Sequence, residues 1–207
     1  TITGCVATCP TELVIPSTID GLSVTSVGRY AFYNKLLISV TIADSVTSID
    51  EYAFSSNQLT SVTIGNSVTS ISEGAFSGNQ LTSVTIGNSV TSIGGSAFRK
   101  NQLTSVTIPN SVASIGDYAF AYNQLTRVTI PDSVTSIGDF AFLENQLSSV
   151  AISDSVTSIG PFAFSAEGND GAFAYIYASG GIANIVSCNA TCPADLVIPS
   201  TVDGYSV

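Results

Sequence analysis

Apolar residues recur along this chain with a fixed step. Phenylalanine stands at Phe32, Phe54, Phe76, Phe98, Phe120, Phe142 and Phe164, always 22 residues apart and always preceded by alanine. The same step links Leu59, Leu81, Leu103, Leu125 and Leu147, and Val62, Val84, Val106, Val128 and Val150. It also links Ile64 to Ile152, Val68 to Val156 and Ile71 to Ile159, so every apolar column is periodic and seven coils are implied. One unit, Leu59 to Gln80, can be read in full. The Val62/Ile64 alternation among β-branched residues predicts a strand with Ser61 and Thr63 on its outer face. Gly65-Asn66-Ser67 turns the chain, with Pro109 or Pro131 replacing the glycine later. Val68 to Ile71 is a second short extended piece. Ser72 to Phe76 is expected to form a helical turn that drives Ala75 and Phe76 inward, and Asn79 closes the coil.

A unit of this size cannot bury its own apolar side, so neighbouring coils must stack with parallel strands about 4.8 Å apart. The expected architecture is a repeat solenoid: a β-rich, right-handed superhelix with a parallel β-sheet on its concave face, short helical turns on its convex side and a β-hairpin near the C-terminus. A longer repeat is superimposed. Cys5 to Thr18 returns as Cys188 to Thr201, displaced by 183 residues, which marks a segment of a tandem array. The divisions follow: 1–24 opens a unit, 25–166 is the solenoid, 167–187 holds a hairpin around Ser179-Gly180-Gly181, and 188–207 starts the next unit. Thr1-Ile2-Thr3 matches only the second strand of that hairpin, which leaves an edge for end-to-end self-association.

The units resemble those of the BspA-like leucine-rich repeat group, L-x-x-I-x-I-P-x-x-V-x-x-I-x-x-x-A-F. The resemblance covers residues 10–166 and resumes at Leu196. The units here are slightly shorter than that group's usual ones, and Asn often stands where the group has Cys. The resemblance implies a leucine-rich repeat scaffold of the kind found on bacterial and protozoal surfaces or secreted from them, with adhesion and partner binding as its role.

Composition narrows the partners. A net charge of −10, with five basic residues, repels a phosphate backbone, so nucleic acid is not expected. No apolar run reaches the roughly 18 to 20 residues needed to cross a bilayer, and the start of the chain has no leader-like pattern. Histidine is absent, which removes the commonest general base, and neither an enzyme nor a cofactor is expected. Four cysteines form two C-x-x-x-C pairs, read as local disulfides Cys5 with Cys9 and Cys188 with Cys192. A zinc site shared by the two pairs would have to bridge seven coils, and no metal site is assigned. Asp44, Asp132 and Asp154 recur at one turn position, where capping of the backbone beside Ser133 and Ser155 is preferred to calcium binding. The column Asn57, Asn79, Asn101, Asn123 and Asn145 is read as structural, its amides bonding each other and the backbone of adjacent coils.

Two surfaces remain as candidates for binding. The exposed strand face presents Ser61, Thr63, Ser83, Thr85, Ser105, Thr107, Arg127 and Thr129, a hydroxyl grid that barely changes between coils and suits a periodic ligand. A more variable ridge just beyond the Phe column carries Arg99, Lys100, Tyr118, Tyr122 and Phe140. The reading is a non-enzymatic extracellular or cell-surface module that recognises a protein or a glycan. Its alternatives are a spacer in a long surface protein and a grid that binds a periodic surface such as polysaccharide or ice.

Overall fold

The computed structural model describes residues 1–5 and 8–164, together with the backbone of four strands further on, Ile176–Ser179, Ile182–Ile185, Thr201–Val202 and Tyr205–Ser206. Two ladders of parallel strands run along the stacked coils. The first comes from the Val-x-Ile stretch of each unit and occurs as three separate pairs. These are Glu12–Ile15 with Ser39–Ile42, Ser61–Thr63 with Ser83–Thr85, and Arg127–Ile130 with Ser149–Ile152. The second comes from the Ser-Ile dipeptide that follows the first turn. Ser26–Val27, Ser48–Ile49, Ser70–Ile71, Ser92–Ile93, Ser114–Ile115, Ser136–Ile137 and Ser158–Ile159 form one unbroken seven-stranded sheet. The pairing advances by one repeat per coil throughout, as in Ser26 with Ser48 and Ser70 with Ser92.

The core lies between the ladders. Phe32 through Phe164 stack in one column, with adjacent ring centroids 5.2 to 5.6 Å apart and nearly parallel planes. Each such ring pair adds about 0.5 to 1.5 kcal/mol beyond the area it buries. Asn57, Asn79, Asn101 and Asn123 are buried beside the rings. Each amide closes a local circuit. Asn79 Nδ2 donates to the carbonyls of Phe54 and Phe76, while its Oδ1 accepts the Leu59 N–H at 3.1 Å. The hydrogen bonds of this column run to backbone of its own and adjacent coils and not from amide to amide. They satisfy carbonyls that the stacked rings shut off from water.

No helix occurs among the described residues, so the helical turns expected at Ser72 to Phe76 and its equivalents are not formed. The reason is in the backbone. Tyr52, Gly74, Ser96, Tyr118, Phe140 and Phe162, each just before an Ala-Phe pair, have φ between 55° and 60°, and so do Ser56, Lys100, Tyr122 and Glu144 four residues later. A left-handed residue at both places prevents a helical run. The N–H groups alternate instead. Tyr52, Phe54 and Ser56 donate onward to carbonyls of Glu73, Ala75 and Ser77 in the next coil, whereas Ala53 and Ser55 donate back to Asp50 and Tyr52. The Ala-Phe side is thus knitted from coil to coil, two bonds of every five staying local.

The first coil is longer than the rest because it contains a hairpin that the repeat frame does not anticipate. Thr18–Ile19 pairs antiparallel with Leu22–Ser23. Asp20 (φ 50°) and Gly21 (φ 78°) supply the two left-handed residues that a tight hairpin turn requires. Thr201–Val202 and Tyr205–Ser206 pair in the same register, so the 183-residue repeat is structural as well as sequential. The expected hairpin beyond the solenoid is also present, as Ile176–Ser179 against Ile182–Ile185. At the other end Ile2 bridges Val27 in parallel, donating to Ser26 and accepting from Gly28. This rung covers one edge of the second ladder. Cys5 and Cys9 form the expected disulfide. Cys188 and Cys192 lie outside the described residues.

Candidate recognition surfaces

Alternation in the first ladder turns Val and Ile inward and leaves Ser61, Thr63, Ser83, Thr85, Ser105, Thr107, Arg127 and Thr129 exposed. The stacking brings all eight onto one face. Their neighbours decide what they can do. The hydroxyls of Ser61, Thr63, Ser83, Thr85, Ser105, Thr107 and Thr129 make no hydrogen bond within the described chain. Residues that directly precede the strands of either ladder behave differently. Thr69 Oγ1 donates to Thr47 O, Thr91 Oγ1 to Thr69 O and Thr157 Oγ1 to Thr135 O beside the second ladder, and Thr82 Oγ1 to Thr60 O and Ser148 Oγ to Thr126 O beside the first, so those hydroxyls are engaged by the preceding coil. The grid on the first ladder therefore offers donors and acceptors to solvent or to a ligand. At its centre the rung from Thr104 to Ile108 is not paired as a strand, and none of its backbone N–H groups donates to another backbone carbonyl.

The ridge residues also converge. Tyr118, Phe140 and Phe162 stack on the outside of successive coils, at 4.8 and 5.4 Å between centroids. A second outer stack, Tyr30 on Tyr52 at 5.2 Å, lies nearer the N-terminus. Gly74 and Ser96 occupy the two intervening positions, so the outer column is broken there. Arg99 reaches from the Ser96 coil toward two rings, its guanidinium carbon 5.4 Å from the Tyr118 centroid and 5.2 Å from that of Tyr122. Arg99, Tyr118, Tyr122 and Phe140 are half-buried, whereas Lys100 is exposed. Beside the break, the Tyr52 hydroxyl donates to the Glu73 carboxylate. That hydrogen bond, then burial, then the Glu73 charge push the phenol up to about 12.

Some surface features escape a reading by repeat. A groove of about 430 Å³ runs along the second ladder, between half-buried Ser92, Ser114 and Ser136 and the glycines at 94, 116 and 138, with Asp117 and Asp139 at its rim. The glycines are required by contact, since a Cβ on Gly138 would come within 2.6 Å of the Asp117 backbone nitrogen. Asp132 accepts a hydrogen bond from Ser153 Oγ at 2.5 Å, a bond between coils and not a cap on its own turn. Among the described residues no group of three metal-ligating side chains comes together, and no helix is long and apolar enough to cross a membrane.

The coil register, the stacked Ala-Phe pairs and the outward Ser/Thr rows agree with one known repeat. Residues 11–102 and 92–170 match the BspA type leucine rich repeat region, in six copies. The chain belongs to the BspA-type leucine-rich repeat family. Among solved structures, this BspA-type chain is similar to the pneumococcal vaccine antigen PcpA, with a TM-score of 0.60 and 25% identity over 70% of this chain and 40% of that one. It therefore spans well under half of PcpA. It is also similar to a leucine rich cell surface protein from Faecalibacterium prausnitzii (TM-score 0.47, 23% identity, 78% of this chain and 70% of that one). A leucine-rich repeat protein from Eubacterium ventriosum is a further neighbour (TM-score 0.43, 19% identity, 77% of this chain and 59% of that one). No curated protein matches the chain.

Proposed function

We propose that this BspA-type solenoid is a non-enzymatic recognition module displayed at or outside the cell surface, binding a glycan or protein partner through the outer face of its first ladder. The observation that carries the proposal is the row of exposed hydroxyls from Ser61 to Thr129, none of which is bonded among the described residues. The row is both unbonded and exposed, whereas the strand serines of the second ladder, Ser48, Ser70, Ser92, Ser114 and Ser136, are half-buried. The repetition favours an extended ligand with its own period, because successive coils offer the same two hydroxyls about every 4.8 Å. Surface display is supported by membership of the BspA-type family.

The test is a binding screen of the native chain against neutral polysaccharides and matrix proteins, repeated with Thr63→Val, Thr85→Val and Thr107→Val combined. Binding that falls at least tenfold in the triple variant, with its melting temperature unchanged, is the expected result. Binding unaffected by the three substitutions removes the first ladder as the site, and silence across the screen leaves the spacer reading.

A further inference from the structure

The coil that carries Arg99 departs from its neighbours in charge. Where adjacent coils place an acid, at Glu73 and Asp117, it has Gly95. Like Gly74 in the preceding coil, its Ser96 leaves out the ring that Tyr52, Tyr118 and Phe140 place in that column. Where the preceding coil has Ser77 and Gly78, it has Arg99 and Lys100, two of the five basic residues in the chain. Loss of an acid and gain of two cations at one level of the solenoid make a local reversal of charge on a protein of net −10.

The state of the guanidinium indicates what the reversal is for. Arg29 lies 5.2 Å from the Tyr30 ring centroid and is neutralised by Glu51 at 2.9 Å. Arg99 lies equally close to two rings, yet no carboxylate of the described chain is within ion-pair distance. Its Nε is buried and has no hydrogen-bond partner. The acids that adjacent coils carry in the column of Gly95 are engaged elsewhere, Glu73 by the Tyr52 hydroxyl and Asp117 Oδ1 by the Asp139 N–H at 2.9 Å. Covering one side of a cation without supplying a counter-ion costs free energy, which an anion on the open side would offset. Cation–π contact with two tyrosines holds the planar fork in place before any ligand arrives. Lys100 stands exposed next to it, and Tyr122 presents a half-exposed ring of the kind on which the apolar face of a sugar packs.

From these contacts we infer that the break in the outer aromatic column is a site for an acidic saccharide, its carboxylate or sulfate held by Arg99 and Lys100 and its ring resting against Tyr122. The inference deepens the recognition reading and assigns a ligand class to the ridge, separately from the hydroxyl face.

Titration calorimetry on the native chain with three probes tests it: a heparin-derived octasaccharide for sulfate, an oligogalacturonate for carboxylate, and maltoheptaose as the neutral control. At least one acidic probe should bind tenfold or more tighter than maltoheptaose. Arg99→Met, which keeps the stem over the rings and removes the charge, should weaken that binding at least tenfold without changing the melting temperature. Lys100→Met should weaken it less, and raising NaCl from 50 to 500 mM should weaken it in the native chain. Equal binding of acidic and neutral probes overturns the inference, as does acidic binding that Arg99→Met leaves unchanged. If neither acidic probe binds while a neutral polymer binds in a Thr85-dependent way, the inference fails and the recognition reading stands. Failure of every probe and partner defeats both.

Discussion

The two ladders of this solenoid are made from nearly the same residues, Ser, Thr, Val and Ile, but differ in how continuously they pair and how far they are buried. In the second ladder seven two-residue strands pair without interruption, and isoleucine or valine is fully buried at every rung from Val27 to Ile137. Thr69 and Thr91 send both the backbone N–H and the hydroxyl to the same carbonyl of the preceding coil, as Thr82 and Ser148 do beside the first ladder. The first ladder has longer strands but breaks into three pairs. Its inward valines are buried at Val62 and Val128 and only partly so at Val84, Val106 and Val150. One ladder is the spine; the other is held by the core beneath it and keeps its outer groups available. Polar side chains committed to a neighbouring coil add stability, and those left open add a surface.

Removing what the ladders share should have the largest effect. Phe98→Ala opens the middle of a column that backs both, and should cost about 3 to 5 kcal/mol in denaturant unfolding. A loss under about 1 kcal/mol would mean that the ladders hold each other without the rings. The next substitution separates them. Ala113→Pro deletes the N–H that bonds Thr91 O at 2.8 Å beside the second ladder, and should cost at least about 2 kcal/mol. Thr107→Pro falls on the rung where no backbone N–H is bonded, and should cost less than about 1 kcal/mol. Equal losses at the two sites would erase the distinction between spine and open face. A finer version uses hydroxyls alone. Thr91→Val loses its bond to Thr69 O at 3.1 Å and should cost about 0.5 to 1 kcal/mol, while Thr85→Val should leave stability unchanged and affect binding only.

Much of this was legible in the repeat. The 22-residue columns identify the stack, the inward Phe, Val and Ile, and the outward Ser and Thr of the first ladder, because period-2 alternation in a strand has one geometric meaning. Which ladder would be continuous is not visible in one unit. Val68-Thr69-Ser70-Ile71 carries a weaker strand signal than Leu59 to Ile64, and its strength comes from register between coils, which no single coil contains. The convex turns escape for a related reason. Tyr, Gly, Ser and Phe all occupy the left-handed position before Ala-Phe, and only Gly74 hints at it by residue type. Asp20-Gly21 does announce its hairpin, but it lies outside the 22-residue frame. The ridge shows a complementary limit. Arg99, Tyr118 and Tyr122 stand out as variable, yet their convergence depends on a side chain reaching across one coil into the space left by Ser96.

The smallest expected effect concerns a buried hydroxyl beside the spine that makes no bond. Ser45, Ser111 and Ser155 occupy one column and donate to the valine carbonyl of the preceding coil, at 2.6, 2.7 and 3.0 Å. Ser133 stands in the same column with its Oγ buried and unbonded. Ser111→Ala removes a formed bond and strands the Val90 carbonyl's second acceptor site, and should cost about 1 kcal/mol. Ser133→Ala removes only a desolvated hydroxyl, and should be neutral or stabilising by a few tenths of a kcal/mol. Parallel urea titrations of the two variants measure the difference. If both lose about 1 kcal/mol, position in the column governs the energy and the bond itself does not, and the contrast between engaged and open hydroxyls would have to be argued from burial alone.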